Sequence, residues 1–267
     1  MTEKEIASTS TADCIFCKIV ARTAEALIIY EDDRTISFLA LNPSVPGHCA
    51  IVPKLHYLVR FRDVTDWPRM PPMSLTASLE FLREADKLKA ILRQTRVTFD
   101  PERRENDAEH SWHLALMAVV LAGYAPPDAD LLSVLRMVLV HDLVEIDAGD
   151  TFLYDDAHAA SKRERETKAA DRLFGMLDEP VRSELRDAWE EFELGATPSA
   201  RFARALDRVQ PVLQNVYTDG ASWRAHGITA PQVVAKNGPP IRAGAPELWP
   251  HVAAMLEEAV RRGVLSR

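Results

Sequence analysis

Apolar residues change their spacing about a quarter of the way along the chain. Between about residues 28 and 53 they come in short bursts, LIIYEDD, TISFLALNP and HCAIVPK, cut by Asp-Asp, Asn-Pro and Pro-Gly. Short bursts between such breakers predict strands and turns. The stretch LHYLVRFRDVTDWPRMPPM fits neither period, and its prolines mark a junction. From Ser74 the period becomes helical. SLTASLEFLREADKLKAILRQ spaces Leu75, Leu79, Leu82, Leu88, Ile91 and Leu92 near 3.6 residues. HSWHLALMAVVLAGY, ADLLSVLRMVLVHDLVEI, SKRERETKAADRLFGML, PVRSELRDAWEEFEL, PSARFARALDRVQPVLQNVY and PELWPHVAAMLEEAVRRG continue the pattern, with Pro or Asp near several starts and Gly near several ends. The expectation is a mainly α protein: residues 1–60 form a small segment of mixed α/β character, 61–73 a junction, and 74–267 an all-helical domain.

Composition narrows the function classes. The 267 residues are 47% hydrophobic and 27% charged, ordinary for a globular chain able to bury a substantial core. The net charge of −8 includes no basic platform, which argues against non-specific binding to nucleic acid or anionic membranes. Cys14, Cys17 and Cys49 are too few, and odd in number, for a disulfide framework. The N-terminus lacks an apolar signal core, and LALMAVVLAGYA is too short to span a bilayer, so a cytoplasmic protein is expected.

The chemistry concentrates in VLVHDLVEIDAGD, residues 138–150. An imidazole and a carboxylate inside an apolar run are costly to bury without partners. His110, His141, Asp142 and Asp207 recur along the predicted helices. Imidazole and carboxylate together suit Zn, Mn, Fe, Co or Ni and leave positions open for water. Adjacent helix positions diverge by about 100°, so His141 and Asp142 can share an ion only if other helices close the site, as those bearing His110 and Asp207 would. Glu145, four residues after His141, is placed on the same helical face as a proton-transfer group. Asp150 follows Gly149 as a second acid/base group or a sugar contact. A solvated pair of carboxylates at a helix end is the plainer reading of both. His113 shares the face of His110 but is assigned to packing, since Trp112, Leu114, Leu116 and Met117 mark that helix as buried.

In order along the chain, RRENDAEHSWHLALMA (103–118), LVHDLVEIDAGDT (139–151) and ALDRVQPVLQN (205–215) resemble the signatures of the HD-domain metal-dependent phosphohydrolases, closest to the bacterial 5'-deoxynucleotidase branch. The resemblance spans about residues 74–267. It implies a helical domain holding one divalent ion on His110, His141, Asp142 and Asp207, a nucleotide substrate and a homodimer. It also places Arg93 in the phosphate-contacting position, for which a planar guanidinium fork is suited. Several relatives carry a tryptophan shortly after that arginine, associated with excluding a ribose 2'-hydroxyl; here Arg96 or a neighbour stands there, which leaves strict deoxyribose preference open.

Residues 14–57 resemble the first half of the histidine-triad (HIT) nucleotide-binding family. Cys14, Cys17 and His56 match three of the four positions that hold a structural zinc in some members. The family's His-x-His-x-His stretch is absent from this chain, so the segment has no nucleophile for nucleotidyl transfer and is expected to be truncated. The favoured function is removal of phosphate from nucleoside 5'-monophosphates. The alternatives are an HD hydrolase of another phosphate ester, or a nucleotide-binding module without turnover.

Overall fold

The computed structural model describes residues 15–31, 35–39, 49–53 and 74–267. The chain separates into two compact units, Met1–Arg69 and Met70–Arg267. Within the first, helix α1 (Ile15–Val20) precedes a three-stranded antiparallel meander of β1 (Leu27–Glu31), β2 (Thr35–Leu39) and β3 (Cys49–Pro53). Ile36 on the central strand and Ile19 on α1 form its small buried core. Cys14, His56, the side chain of Cys17 and the 61–73 junction lie outside the described residues.

The second unit is helical with one β-hairpin, so the expectation of an all-helical domain is corrected. The first predicted helix runs only over α2 (Leu75–Ala85), capped by Ser74. A 3-10 turn follows at Asp86–Ala90, and then the hairpin of β4 (Leu92–Val97) and β5 (Asp100–Asn106). Leu75, Leu79 and Leu82 are exposed, and Phe81 is the residue α2 buries. Their period marks an apolar stripe without naming what covers it.

Asn106 and Glu109 form a reciprocal capping box that starts α3 (Asp107–Val120), satisfying amides that the first turn leaves unpaired. On α3, His110, Ser111, Leu114, Met117 and Ala118 face inward; Trp112 and Leu116, assigned to the core from sequence, face outward at 65% and 46% exposure. The helix is apolar on two sides, so composition alone could not say which side is buried. Helix α4 (Leu131–Val140) stops just before His141, and turns over 141–144 lead into the short α5 (Glu145–Ala148). This breaks the predicted continuous helix exactly where the polar pair interrupts the apolar run.

Helices α6 (Asp156–Phe174), α7 (Val181–Leu194), α8 (Pro198–Tyr217), α9 (Ala221–His226), α10 (Ala230–Gly244) and α11 (Trp249–Arg261) complete the unit. Central α8 is buried along most of its length, with Phe202, Leu206 and several alanines fully enclosed. It packs on α3, α4, α7 and α10. The α8–α10 approach is so close that a Cβ on Gly244 would lie 1.9 Å from the Arg201 carbonyl oxygen. Helix α10 continues through Asn237-Gly238-Pro239-Pro240, a stretch that reads as a breaker. Burial of Val233, Asn237 and Ile241 outweighs the hydrogen bonds the prolines remove. Among the described residues, no helix is long and apolar enough to cross a membrane.

Candidate metal centre and cleft

His110, His141 and Asp207, from α3, the end of α4 and α8, offer ligand atoms that all lie within 4.8 Å of one another. Asp142 joins them: its Oδ1 is 3.1 Å from His141 Nε2 and its Oδ2 is 3.9 Å from His110 Nε2. All four residues are buried.

The imidazoles are oriented from behind. His141 Nδ1 lies 3.0 Å from the Val138 carbonyl oxygen, to which it donates, leaving Nε2 with a lone pair. His110 Nδ1 lies 3.1 Å from Gln210 Oε1. The amide of Gln210 is turned that way because its Nε2 donates at 2.7 Å to Glu105, an acceptor only. His110 Nε2 then presents a lone pair to Asp207 Oδ1, 3.1 Å away. His141 Nε2 meets Asp142 Oδ1 at an angle that makes no hydrogen bond, and it is buried without a partner. Lone pairs and carboxylate oxygens this close repel unless a cation lies between them. Imidazole nitrogens fixed by acceptors on their far side are the usual arrangement around a divalent ion, so the donor set fits one.

Beside this set Asp107, Asp142 and Glu145 form a second group with carboxylate oxygens within 4.8 Å. Arg93 on β4 sits among them, donating from Nη1 to Asp142 Oδ2 at 2.8 Å and to Asp107 Oδ1 at 3.1 Å. Arg104, whose side chain donates to the carbonyls of Leu92 and Arg93, braces the strand. Arg103 turns away to the exposed Glu109 carboxylate, and Arg96 donates to the Glu102 carbonyl within the hairpin.

Charge and burial divide the carboxyl groups. Burial alone would raise Asp142 and Asp207, but their neighbours outweigh it and hold both below the usual range: the His141 imidazole and the Arg93 guanidinium beside Asp142, the Arg208 guanidinium and the His110 imidazole beside Asp207. Asp107 moves the other way, to about 7, because burial and the Asp142 charge outweigh Arg93. Glu145 is pushed well up by burial, then by Asp142 and Asp107, and its Oε2 is buried without a partner. Asp150 is raised by burial, which Arg93 opposes. Gly149, at φ +76°, ends α5 and turns the chain so that Asp150 lines the cleft.

The cleft, about 250 Å³, is lined by His141, Asp142, Glu145, Asp150, Asp207 and Arg93, by the aromatic rings of Phe152, Tyr154 and Trp223, and by further polar and charged side chains that include Lys162, Arg204, Arg208 and Asn237. His113 is not among the converging groups; its Nδ1 lies 3.3 Å from Gln210 Nε2, behind His110. Sequence reasoning missed Glu105, Asp107, Gln210 and Gln214. Glu105 accepts from both glutamines and from Thr95, which ties the hairpin to α8. The available signal was spacing: Asp107 precedes His110 by three residues and Gln210 follows Asp207 by three, so each shares a candidate ligand's helical face.

A family model described as the HD domain matches residues 85–249, and one described as the HIT domain matches residues 21–108. The two overlap over 85–108, a stretch that here forms the hairpin and the start of α3, within the second unit. The human 5'-deoxynucleotidase HDDC2 is 32% identical over 139 residues, 51% of this chain and 65% of that protein. The chain thus spans just under two thirds of the length of this curated relative. The adenylylsulfatase HINT3 of Arabidopsis thaliana is 48% identical over 50 residues, 19% of this chain and 25% of that protein. A crystal structure from Magnetospirillum magnetotacticum MS-1, described as a predicted metal-dependent phosphohydrolase, is 51% identical, with a TM-score of 0.69 over 72% of this chain and 96% of that one. The HD model covers more than half of the sequence and the buried His/Asp centre lies inside it: the chain belongs to the HD domain family.

Proposed function

We propose that the chain is a metal-dependent phosphomonoesterase that removes phosphate from nucleoside 5'-monophosphates, deoxynucleotides included. The observation that carries this reading is the pair of histidines whose outer nitrogens are fixed by Val138 and Gln210 while both Nε2 atoms face Asp142 and Asp207, with Arg93 alongside. His110, His141, Asp142 and Asp207 would hold one divalent ion, drawn from Mn, Co, Fe, Ni or Zn. When bound, such an ion supplies Lewis acidity toward water and a phosphoryl oxygen.

The remaining work falls to side chains. Arg93 offers its guanidinium to phosphoryl oxygens and offsets charge that develops there. Glu145, whose carboxyl is pushed above the usual glutamate range by burial, would give a proton to the departing 5'-oxygen. Asp150, at the cleft wall, orients the sugar or shares in proton transfer. The 5'-deoxynucleotidase activity named for HDDC2 supports the choice of substrate class. The domain of residues 74–267 would carry the chemistry, and the truncated HIT-like segment of 1–60 would supply no catalytic group.

The test is phosphate release from a panel of ribo- and deoxyribonucleoside 5'-monophosphates after chelation and reloading with each metal. Release that returns only with metal is the expected result; folded, metal-loaded protein that releases none would overturn the assignment.

We also propose a homodimer, supported by the exposed apolar stripes of Leu75, Leu79 and Leu82 on α2 and of Trp112, Leu116 and Val120 on α3. Light scattering should give twice the chain mass; a mass near 29.9 kDa would exclude it.

A further inference from the structure

Beyond Arg93 one part of the cleft wall is aromatic, among charged lining residues such as Lys162, Arg204, Arg208 and Lys236. The loop between α5 and α6 carries Phe152 and Tyr154, whose ring centroids are 5.2 Å apart at an interplanar angle of 59°. Phe152 also packs on His226 of α9, at 4.5 Å and 40°. His226 Nε2 lies 3.1 Å from Oε1 of Gln94, the residue that follows Arg93 on β4. The Tyr154 hydroxyl accepts from Asn237 Nδ2 at 3.2 Å, and the same amide donates to the Val233 carbonyl at 2.8 Å. Phe152, Tyr154, Gln94 and Asn237 line the same cleft as Arg93 and Asp142. The two rings are thus tied, through His226 and Gln94, to the strand that carries Arg93.

Two properties of this wall matter. Phe152 and Tyr154 are only half-buried, so apolar ring surface faces the cleft although the hydrophobic effect favours covering it. Their edges are pinned, because the polar tips of Tyr154 and His226 are already engaged by Asn237 and Gln94. A ring face held in place this way offers a stacking surface. Stacking accepts any base, since every base has a π-face.

We propose that Phe152 and Tyr154 form the nucleobase subsite, which holds the base by stacking and gives the enzyme a preference for nucleotides over sugar phosphates. The proposal rests on the phosphomonoesterase reading above. The experiment compares dAMP, dGMP, dCMP, dTMP and 2-deoxyribose 5-phosphate for the wild type, Phe152→Ala and Phe152→Trp, and measures binding of deoxyadenosine alone by calorimetry.

In Phe152→Ala the preference for all four nucleotides over the abasic sugar phosphate should shrink about tenfold through KM, the size expected for losing one stacking partner, and deoxyadenosine binding should weaken alike. Phe152→Trp should retain both. A Phe152→Ala enzyme whose nucleotide to sugar-phosphate ratio equals that of the wild type would overturn the subsite. A fall in kcat common to all five substrates would overturn it equally, by marking Phe152 as structural. The two readings fail separately: absence of phosphate release from every substrate defeats the phosphomonoesterase, while deoxyadenosine binding that depends on Phe152 still supports the wall.

Discussion

Replacing Asp142 by alanine should empty the centre of metal and lower kcat/KM on the order of a thousandfold, a loss of about 4 kcal/mol of transition-state stabilisation. Asp142 stands between the two carboxylate and imidazole groups: it faces His141 Nε2 and His110 Nε2, and it accepts the shorter of the two Arg93 hydrogen bonds. Its removal takes away a proposed ligand and leaves the half-buried guanidinium with Asp107 as its hydrogen-bonded carboxylate and Glu105 3.8 Å from its Nε. Arg93 should then shift, so the phosphate contact is weakened together with the ion. Metal content of the purified variant and phosphate release under saturating metal check this result. Folding is controlled by thermal melting of both proteins after chelation. A variant that melts near the wild type, binds metal as tightly and releases phosphate at a similar rate would remove Asp142 from the centre.

The parts of this fold that could be read in the sequence are those in which local pattern and tertiary environment agree. PSARFARALDRVQPVLQNVY became α8 because its threonine cap, Pro at the first position and inward apolar face all favour one helix. The hairpin was hidden because LRQTRV and DPERREN carry charges on both faces and follow directly on a leucine period. Strand alternation shows only where one face is apolar. Helix α10 was hidden by its prolines, which local chemistry reads as a stop and which packing against α8 overrides.

The centre shows the same division. His141 and Asp142 stood out because a polar pair in a valine and leucine run demands partners. Asp107 and Glu105 did not, because acidic residues at a helix start already have an explanation in the dipole and the capping box. Gln210 resembled any glutamine on a charged helix, although it is fully buried and orients His110. Residues that act through a ligand are the least visible in sequence, since their own types carry no signal of the chemistry they support.

Glu145→Gln should separate proton transfer from metal binding. Glutamine keeps the shape of the side chain but cannot exchange a proton, so kcat should fall by about 10²- to 10⁴-fold, the range for loss of a general acid, while metal content stays at the wild-type level. The pH dependence adds a second reading. Burial, Asp142 and Asp107 raise the Glu145 pKa, so the carboxyl group holds its proton at pH values where an exposed glutamate has lost it. Catalysis that uses this proton is present below the raised pKa and declines as pH increases through it, and that alkaline decline should vanish in Glu145→Gln. A bound cation attracts Asp142's charge and so relieves part of the shift, which places the decline at lower pH in loaded enzyme than the metal-free surroundings imply. Asp150, raised by burial but opposed by Arg93, is the competing donor. If Asp150→Asn erases the alkaline decline and Glu145→Gln retains it with near wild-type turnover, the proton comes from Asp150 and Glu145 serves only to set the field around Arg93.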